Sequence, residues 1–266
     1  MRIVRFEIEQ RISYGVAMDQ DIQLLSGNPF EHANVALAIP AQLTDQSCRL
    51  EQASLVAPCE PSKYVGIGVN YHATAKALNV PIPEKPALFL KPSSAIIGSA
   101  QNIVLPEPPA KVVCEGELAI VVSRPCKNIK VQDAPAHILG YTITNDVTDA
   151  SRFVRDGGNP TRAKAADTFA PLGPWIETGL DAGSLMLETR INGRRVQRGN
   201  TGDMIFSINH CVSFISKLMT LLPGDVIATG TPMAPAEVKP GDRVEVIIDA
   251  IGTLKNGVVG SPIGAA

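Results

Sequence analysis

The sequence has 266 residues, with 24 lysines and arginines against 26 aspartates and glutamates and a formal net charge of −2. This balance leaves no basic excess and argues against a nucleic-acid or anionic-membrane partner, while no apolar run approaches the roughly 20 residues that cross a bilayer. Hydrophobic residues make up 45% of the chain and charged residues 19%, which excludes a disordered protein and predicts a folded one with a sizeable core.

The cysteines indicate a reducing compartment. All five are scattered and none forms a C-x-x-C pair: Cys48, Cys59, Cys114, Cys126 and Cys211. This pattern favours free thiols over disulfides or a zinc site. The first ten residues lack the apolar stretch of a secretory signal. We therefore expect a cytoplasmic protein.

Residues 1–58 are predicted to form a small β-rich N-terminal domain. Three apolar segments separated by polar turns predict strands over residues 2–9, 12–18 and 22–25. A stretch with two prolines, residues 55–62, has the character of a linker. A larger domain is expected over residues 59–266.

The larger domain is predicted to be mainly β. Strands are expected over residues 64–69, 87–91, 112–122, 141–144, 185–191, 226–229 and 244–248. A short helix is expected over 73–79, and Asn192-Gly193 has the composition of a tight hairpin turn before a return strand at 194–197. Ser207 is a suitable cap for an amphipathic helix. So few helices cannot cover a parallel sheet, and we predict a mixed, mainly β α+β fold rather than a doubly wound one.

Two glutamates interrupt the most apolar predicted strand. Glu115 and Glu117 are two residues apart and would share one face of that strand. Two adjacent carboxylates repel each other and need a compensating cation, a shared proton or full exposure. If Asp146, after the next strand, converges with them, the oxygen atoms suit a hard cation such as Mg²⁺ or Mn²⁺ better than zinc. The residues alone leave the exposed face of an edge strand as an equal alternative.

Together with several other segments, this pattern resembles the fumarylacetoacetate hydrolase superfamily. The resemblance covers roughly residues 63–260 and includes the spacing from Glu115-x-Glu117 to Asp146. Further matching segments are Gly68-Val69-Asn70-Tyr71, Phe89-Leu90-Lys91-Pro92, 140–147, 164–174, Asp203-Met204-Ile205-Phe206-Ser207 and 223–232. The resemblance implies a mixed β-roll and a homodimer. Residues 218–259 are most similar to the subgroup that decarboxylates or isomerises homoprotocatechuate-pathway intermediates.

The resemblance implies that Glu115, Glu117 and Asp146 bind a metal ion, Mg²⁺ or Mn²⁺. A small 2-oxo acid is the implied substrate, and the cation would stabilise an enolate formed from it. Lys164 matches a family lysine that faces the substrate, either as a second positive charge or, with a depressed pKa, as a proton donor. A surface lysine is the alternative.

The resemblance also implies four further substrate-binding residues. Thr231 matches a position that binds the substrate carboxylate, and Gly230 permits close approach of the backbone there. A simple turn at the end of a strand is the alternative for both. Tyr71 and Lys91 are weaker candidates for walls of the pocket.

The sequence departs from the hydrolytic members of the superfamily at their acid–base dyad. Those members carry Asn-Tyr-x-x-His-x-x-Glu, and counting from Asn70 places Thr74 and Ala77 at the His and Glu positions. Neither residue takes a proton from water near pH 7. His72 lies two residues earlier and would point about 200° away on a helix. It is a candidate for a displaced catalytic base, with an ordinary surface histidine as the alternative.

A second departure follows Asp146. Many relatives carry an arginine and a glutamine where this chain has Ala150 and Phe153, so an aromatic wall replaces a polar contact. Arg152 is a candidate to supply charge to the substrate from a shifted position, or is simply solvated. We expect a larger or less polar substrate than oxaloacetate.

These features favour a divalent-metal-dependent enzyme that acts on a 2-oxo or 1,3-dicarbonyl acid as a decarboxylase (a C–C lyase), isomerase or tautomerase. Enolate chemistry needs mainly an electron sink and a proton donor, whereas hydrolysis needs a positioned water. Two alternatives stay open: an acylpyruvate or fumarylacetoacetate-type hydrolase with an atypical base, and a non-catalytic metabolite-binding relative. The presence of Lys164 and Thr231 argues against the second alternative.

Overall fold

The computed structural model of the protein describes residues 1–107 and 110–261. Its strands are β1 (Arg2–Ile8), β2 (Arg11–Met18), β3 (Asp21–Leu25), β4 (Leu43–Arg49), β5 (Ser54–Leu55), β6 (Tyr64–Gly68), β7 (Ala87–Lys91), β8 (Ile96–Ile97), β9 (Ile103–Leu105), β10 (Val112–Cys114), β11 (Gly116–Val122), β12 (Ile138–Asn145), β13 (Thr148–Asp149), β14 (Ala170–Glu177), β15 (Met186–Ile191), β16 (Arg194–Asn200), β17 (Val226–Ala228), β18 (Ala236–Glu237), β19 (Arg243–Ile248) and β20 (Gly252–Gly260). Its α-helices are α1 (Val35–Gln42), α2 (His72–Leu78), α3 (Ala150–Arg155), α4 (Thr161–Lys164) and α5 (Ile208–Leu218).

Strands dominate the structure, and this confirms the predicted α+β, mainly β fold class. Among the described residues, no helix has both the length and the hydrophobicity needed to span a bilayer. Residues 262–266, which belong to the predicted larger domain, lie outside the described residues.

One long sheet contains strands from both predicted domains. Its strand order is β4-β3-β2-β1-β14-β12-β11-β17-β6-β7, with β5 beside β1 and β8 beside β14. The antiparallel pairing of β1 with β14 makes the N-terminal strands an extension of the sheet that carries the later ones. A five-stranded sheet, β16-β15-β19-β20-β9, and a three-stranded sheet, β13-β10-β18, complete the β structure of the described residues.

Strand β11 lies in the middle of the core. All of its residues are buried. Leu118 packs with side chains of β15, β19 and β20, whereas Ala119 and Val121 pack with side chains of the N-terminal strands. Ile120 packs with α5. Burial on several sides explains the continuous apolar sequence of this strand and places Glu117, its second residue, in the protein interior.

The strand predicted over residues 112–122 is interrupted at Glu115. β10 ends at Cys114 and belongs to the three-stranded sheet, whereas β11 begins at Gly116 in the long sheet. At the break, the Glu115 N–H donates to Oδ1 of Asn145 (3.0 Å), and the Glu115 carbonyl accepts from the N–H of Asp146 (2.9 Å). The prediction that Glu115 and Glu117 share one face of a regular strand is therefore wrong. They meet where the chain passes from one sheet to the other.

Local sequence signals predicted some turns and caps correctly but missed two elements. The Asn192-Gly193 turn is present, with φ of 52° and 79° at its two residues. Ser207 caps α5, since its hydroxyl accepts from the N–H of His210 (3.3 Å). The sequence analysis missed α1, which contains Pro40, and β4, an edge strand with mostly exposed or half-exposed polar side chains and no clear alternation.

Two Pro-Gly-Asp turns share one hydrogen-bonding pattern and differ in burial, so they test how much burial of the aspartate contributes to stability. In each turn the aspartate accepts from the backbone N–H three residues before it, Leu222 for Asp225 and Lys239 for Asp242, both at 2.7 Å. Asp225 is fully buried. It also accepts from the backbone N–H of Lys63 (2.9 Å) and pairs with the Lys63 Nζ (2.7 Å). Asp242 is half-buried.

We expect D225A to lower the free energy of unfolding by about 3 kcal/mol, because it leaves buried donors without their partner. The matched variant D242A should cost about 1 kcal/mol. Urea denaturation followed by circular dichroism measures both values. Equal losses in the two variants would contradict the importance of burial at Asp225.

Candidate active site

Three carboxylates converge where β10 passes into β11 beside the end of β12. One oxygen from each of Glu115, Glu117 and Asp146 lies within 4.8 Å of the others. The antiparallel pairing of β11 with β12 sets this arrangement, since Gly116 lies opposite Asn145 and Asp146 comes next in the chain. The structure thus brings together the three acidic residues that the sequence analysis selected.

Backbone and hydroxyl donors orient the two glutamates. The Gly230 N–H donates to Oε2 of Glu117 (2.7 Å), and the Thr148 hydroxyl donates to Oε1 of Glu115 (3.0 Å). Gly230 has φ of 95°, and a Cβ atom there would lie 2.8 Å from the Cβ of Asn70. A glycine is therefore required for the backbone to approach Glu117 in this way.

Two lysines flank Asp146. Lys164 Nζ contacts one carboxylate oxygen of Asp146, lies 3.5 Å from Oε1 of Glu115 and donates to the Thr148 hydroxyl (2.7 Å). Lys91 Nζ lies 2.6 Å from the other oxygen of Asp146. Both ammonium groups are buried, so their charges act on the carboxylates with little screening by solvent.

The three carboxyl groups respond differently to this environment in the cation-free protein. Burial raises the pKa of Glu117 well above its ordinary value, and the neighbouring Asp146 and Glu115 raise it further. Burial also raises the pKa of Glu115, although Lys164 opposes that effect. The pKa of Asp146 is lowered, since Lys164 and Lys91 together outweigh its burial. Glu117 is therefore the carboxyl group whose charged form the two lysines stabilise least.

The two lysines also differ. Burial works against the charge of Lys164, but Asp146 and Glu115 outweigh it, so the pKa of Lys164 is raised. Burial and the nearby Lys164 lower the pKa of Lys91 to about 8, despite the attraction of Asp146. Of the two roles considered for Lys164, the raised pKa favours a fixed positive charge over a proton donor with a depressed pKa.

The donor set fits a hard divalent cation. It consists of oxygen atoms alone, from three carboxylates, as Mg²⁺ and Mn²⁺ prefer. The raised pKa of Glu117 indicates a buried carboxylate short of positive charge, which a cation would supply. Glu115, Glu117 and Asp146 are the residues that would hold it.

The predicted substrate-binding residues lie at different distances from the triad. Thr231 is buried and follows Gly230, which is bonded to Glu117. Tyr71 is buried at the start of α2, and the proximity of Glu117 is one cause of its raised pKa, after burial itself. Both residues are therefore close to the carboxylates.

The ammonium group of Lys91 is bonded within the protein interior. Its side chain is fully buried, and its ammonium contacts Asp146 and the backbone carbonyls of Val147 (2.9 Å) and Phe169. These three acceptors use all three of its N–H groups. No N–H group of Lys91 is therefore left to donate to a substrate, and its place in a pocket wall stays a prediction. Lys91 supports Asp146 from beneath.

Three other candidates lie at the surface or pair with other groups. His72 is exposed at the first position of α2, whereas Thr74 on the same helix is buried. Phe153 is 37% exposed on α3. The Arg152 guanidinium lies 3.6 Å from Asp149. Within the described ranges, no hydrogen bond or ion pair joins these three candidates to the carboxylate triad.

Sequence reasoning missed three polar residues that organise the site. Thr148 links Lys164 to Glu115 through its hydroxyl. Asn70 bonds the backbone of Phe206 and Thr229, and so holds the chain that leads to Gly230. The third is Gln197, which lies on β16 far away in sequence. A buried amide on a strand carries no sequence signal of its own, because its partners lie on other elements that are distant in sequence.

Two models of known protein families match the chain. Residues 63–259 match the family model described as fumarylacetoacetate (FAA) hydrolase C-terminal, and residues 1–58 match one described as Rv2993c-like, N-terminal. The chain belongs to the fumarylacetoacetate hydrolase family. The resemblance inferred from the sequence is confirmed.

Solved and curated members of the fumarylacetoacetate hydrolase family differ in their reactions. The chain is 39% identical to a 5-carboxymethyl-2-hydroxymuconate delta-isomerase from Mycobacterium smegmatis, over 98% of this chain and 100% of that one, with a TM-score of 0.87. It is 38% identical over 222 residues to a mitochondrial oxaloacetate tautomerase from Homo sapiens, covering 79% of this chain and 71% of that one. A maleylpyruvate hydrolase from Sphingobium sp. SYK-6, solved with manganese(II) and pyruvate, is 30% identical, with coverage of 98% and 100% and a TM-score of 0.81.

The raised pKa values in the triad predict how cation binding depends on pH. Protons and cations compete for Glu115 and Glu117, whose pKa values lie above the ordinary 4.5. We therefore expect the Mn²⁺ affinity to rise with pH above 4.5 as these groups ionise. Titration calorimetry between about pH 5 and about pH 8 measures this trend.

Variants of two glutamates provide the controls for this trend. E117Q should weaken Mn²⁺ binding and flatten its pH dependence, because one competing proton site is gone. The exposed Glu237 on β18 is the matched control, and E237Q should behave like the wild type. An affinity that is independent of pH in the wild type would show that the triad does not bind the ion.

Proposed function

We propose that the protein is a divalent-metal-dependent enzyme that acts on a small 2-oxo or 1,3-dicarbonyl acid as an isomerase, tautomerase or decarboxylase. The observation that carries the proposal is the convergence of three carboxylates with the Lys164 ammonium, on a chain without the hydrolytic dyad. Mg²⁺ or Mn²⁺ is the proposed cofactor, held by Glu115, Glu117 and Asp146.

The charges at the site support this chemistry. A divalent cation, when bound, supplies a Lewis acid that stabilises negative charge developing on a keto oxygen. Lys164 contributes a second positive charge at the same place, since its ammonium contacts Asp146 and lies 3.5 Å from Glu115. Lys91 keeps Asp146 ionised from the buried side. Two lysines and a divalent cation exceed the charge of three carboxylates, which favours an anionic substrate.

The loop after β17 is proposed to bind the substrate carboxylate. Gly230 donates its N–H to Glu117, so the next residue, Thr231, lies beside the triad. The Thr231 carbonyl accepts a hydrogen bond from the Thr74 hydroxyl (2.5 Å). A hydroxyl held at this position is suited to a carboxylate anchored at the cation.

The residues at the dyad positions support proton transfer or decarboxylation over hydrolysis. Thr74 is buried and its hydroxyl is engaged by Thr231, while Ala77 is exposed and carries no titratable group. Neither can activate a water molecule. Moving a proton next to a carbonyl, or losing CO₂ from that carbon, requires no nucleophilic water.

Hydrolysis is the second candidate function, because the maleylpyruvate hydrolase of Sphingobium is 30% identical to this chain. Such a reaction here would need a base from an atypical position. His72 is the nearest histidine in sequence to the dyad positions, but it is exposed on α2, and no hydrogen bond or ion pair joins it to the triad within the described residues. This candidate therefore ranks below enolate chemistry.

Three further predictions accompany the proposal. We propose a homodimer on the family resemblance alone. The division at residue 58 and the cytoplasmic location also stay predictions. Size-exclusion chromatography with light scattering measures the oligomeric state directly.

A panel of 2-oxo acids tests the main proposal. With Mg²⁺ or Mn²⁺, we expect the wild type to accelerate the enol–keto conversion or decarboxylation of at least one acid, followed by ultraviolet absorbance. EDTA should abolish this activity and added Mg²⁺ should restore it. K164M should lower kcat by about a hundredfold, because a positioned charge at the developing enolate is lost.

The matched control for K164M is K255M, which removes a surface lysine paired with Glu245 (3.3 Å) on the five-stranded sheet. K255M should retain wild-type activity. Binding of a 2-oxo acid without any turnover, unchanged by K164M, would instead identify a non-catalytic metabolite-binding protein.

Restoring the dyad tests the preference against hydrolysis. We expect the double variant T74H/A77E to gain acylpyruvate hydrolysis that the wild type lacks, measured by release of pyruvate. H72A should leave the wild-type activity unchanged. Robust hydrolysis by the wild type that is lost in H72A would reverse the order of the two candidate functions.

A further inference from the structure

Gln197 is a buried amide that joins two parts of the candidate active site. It lies on β16 and is 1% exposed. Its Oε1 accepts from the N–H of Gly116 (3.1 Å), the residue between the two glutamates of the triad. Its Nε2 donates to Oγ1 of Thr231 (3.0 Å). One side chain therefore contacts both the metal-binding segment and the proposed carboxylate-binding residue.

Backbone groups with unambiguous roles fix the orientation of this amide. The Gly116 N–H can only donate, so it selects the oxygen of the Gln197 side chain. The carbonyls of Met233 (3.3 Å) and Ala234 (3.1 Å) can only accept, so they select the nitrogen. The two N–H groups of Nε2 are shared among three acceptors, and because this nitrogen cannot accept, the Thr231 hydroxyl can only accept from it. Exchanging the oxygen and nitrogen would turn a donor toward the Gly116 N–H and an acceptor toward the two carbonyls.

This assignment determines which way the Thr231 hydroxyl acts. Because Oγ1 accepts from Gln197, the hydroxyl proton must point elsewhere. Within residues 1–107 and 110–261, no acceptor for that proton is present at hydrogen-bond distance. The Thr231 carbonyl is already bonded to Thr74, so the backbone beside this hydroxyl is also held. The O–H is left available for a ligand.

We infer that Gln197 is a positioning residue that makes the Thr231 hydroxyl a hydrogen-bond donor to the carboxylate of the substrate. The inference rests on the proposed function, since it concerns the same site and a 2-oxo acid. Such a donor would favour acids, because an ionised carboxylate is a strong acceptor and has no proton of its own. A substrate with a neutral end group would gain less from this donor.

The variant Q197E tests the direction of the hydrogen bond. Glutamate keeps an acceptor for the Gly116 N–H but places a carboxylate oxygen against Thr231. The Thr231 hydroxyl then donates to residue 197 and is withdrawn from the ligand. We expect the Kd of oxalate, measured by titration calorimetry in saturating Mn²⁺, to rise at least about tenfold. The Mn²⁺ affinity should not fall, because the charge that Q197E adds is negative.

A double-variant cycle separates this role from a structural one. T231V alone should weaken oxalate binding to the same extent, and T231S should retain it. Q197E added to T231V should cause no further loss, because the hydroxyl through which Gln197 acts is gone. Thr189 faces Gln197 across the β15–β16 pair and is fully buried, so T189V is the matched control and should bind oxalate normally.

The outcomes are distinguishable. Equal losses from Q197E in the wild-type and T231V backgrounds, or a loss of Mn²⁺ affinity in Q197E, would overturn the inference and leave the proposed function intact. If Q197E does not fold, a wild-type oxalate affinity in T231V overturns the inference by itself. A wild type that binds no oxalate in the presence of Mn²⁺ overturns both the inference and the proposed function.

Discussion

The burial of three carboxylates against two ammonium groups is the interaction on which the rest of the site depends. Like charges in a low-dielectric interior repel strongly, and burial alone disfavours each charged form. Lys164 and Lys91 offset this repulsion at Asp146 from two sides, whereas Glu117 keeps a raised pKa. The imbalance favours additional positive charge at this site, and the oxygen-only donor set suits a hard cation.

The fold maintains this arrangement by directing separate elements to one point. The chain leaves the three-stranded sheet at Glu115 and enters the long sheet at Gly116. The adjacent end of β12 supplies Asp146, and the short helix α4 ends at Lys164. The loop after β17 returns to bond Glu117 through Gly230. Because each element contributes only one or two groups, the geometry depends on tertiary packing more than on any local segment.

The sequence revealed the parts of this site that are encoded by composition and spacing. Charged residues in an apolar strand are conspicuous, so Glu115 and Glu117 stood out in the sequence, although their metal-binding role was implied only by the family resemblance. Their relation could not be predicted, because periodicity describes a regular strand and the break at Glu115 depends on Asn145, a residue about thirty positions away. The contacts of Lys91 could not be predicted for a related reason. Its burial beneath Asp146 follows from the pairing of β6 and β7, which local sequence does not specify.

Residues outside the carboxylate triad must distinguish isomerisation, tautomerisation and hydrolysis. Isomerase, tautomerase and hydrolase relatives resemble this chain over most of its length, so the shared fold does not decide the chemistry. In this chain the position that serves as a base in the hydrolytic members is occupied by Thr74, whose hydroxyl bonds the carbonyl of Thr231. Gln197 bonds the hydroxyl of the same residue. Helix α2 therefore stabilises the loop that would bind a carboxylate instead of activating water, and this substitution of roles is the physical basis for favouring enolate chemistry.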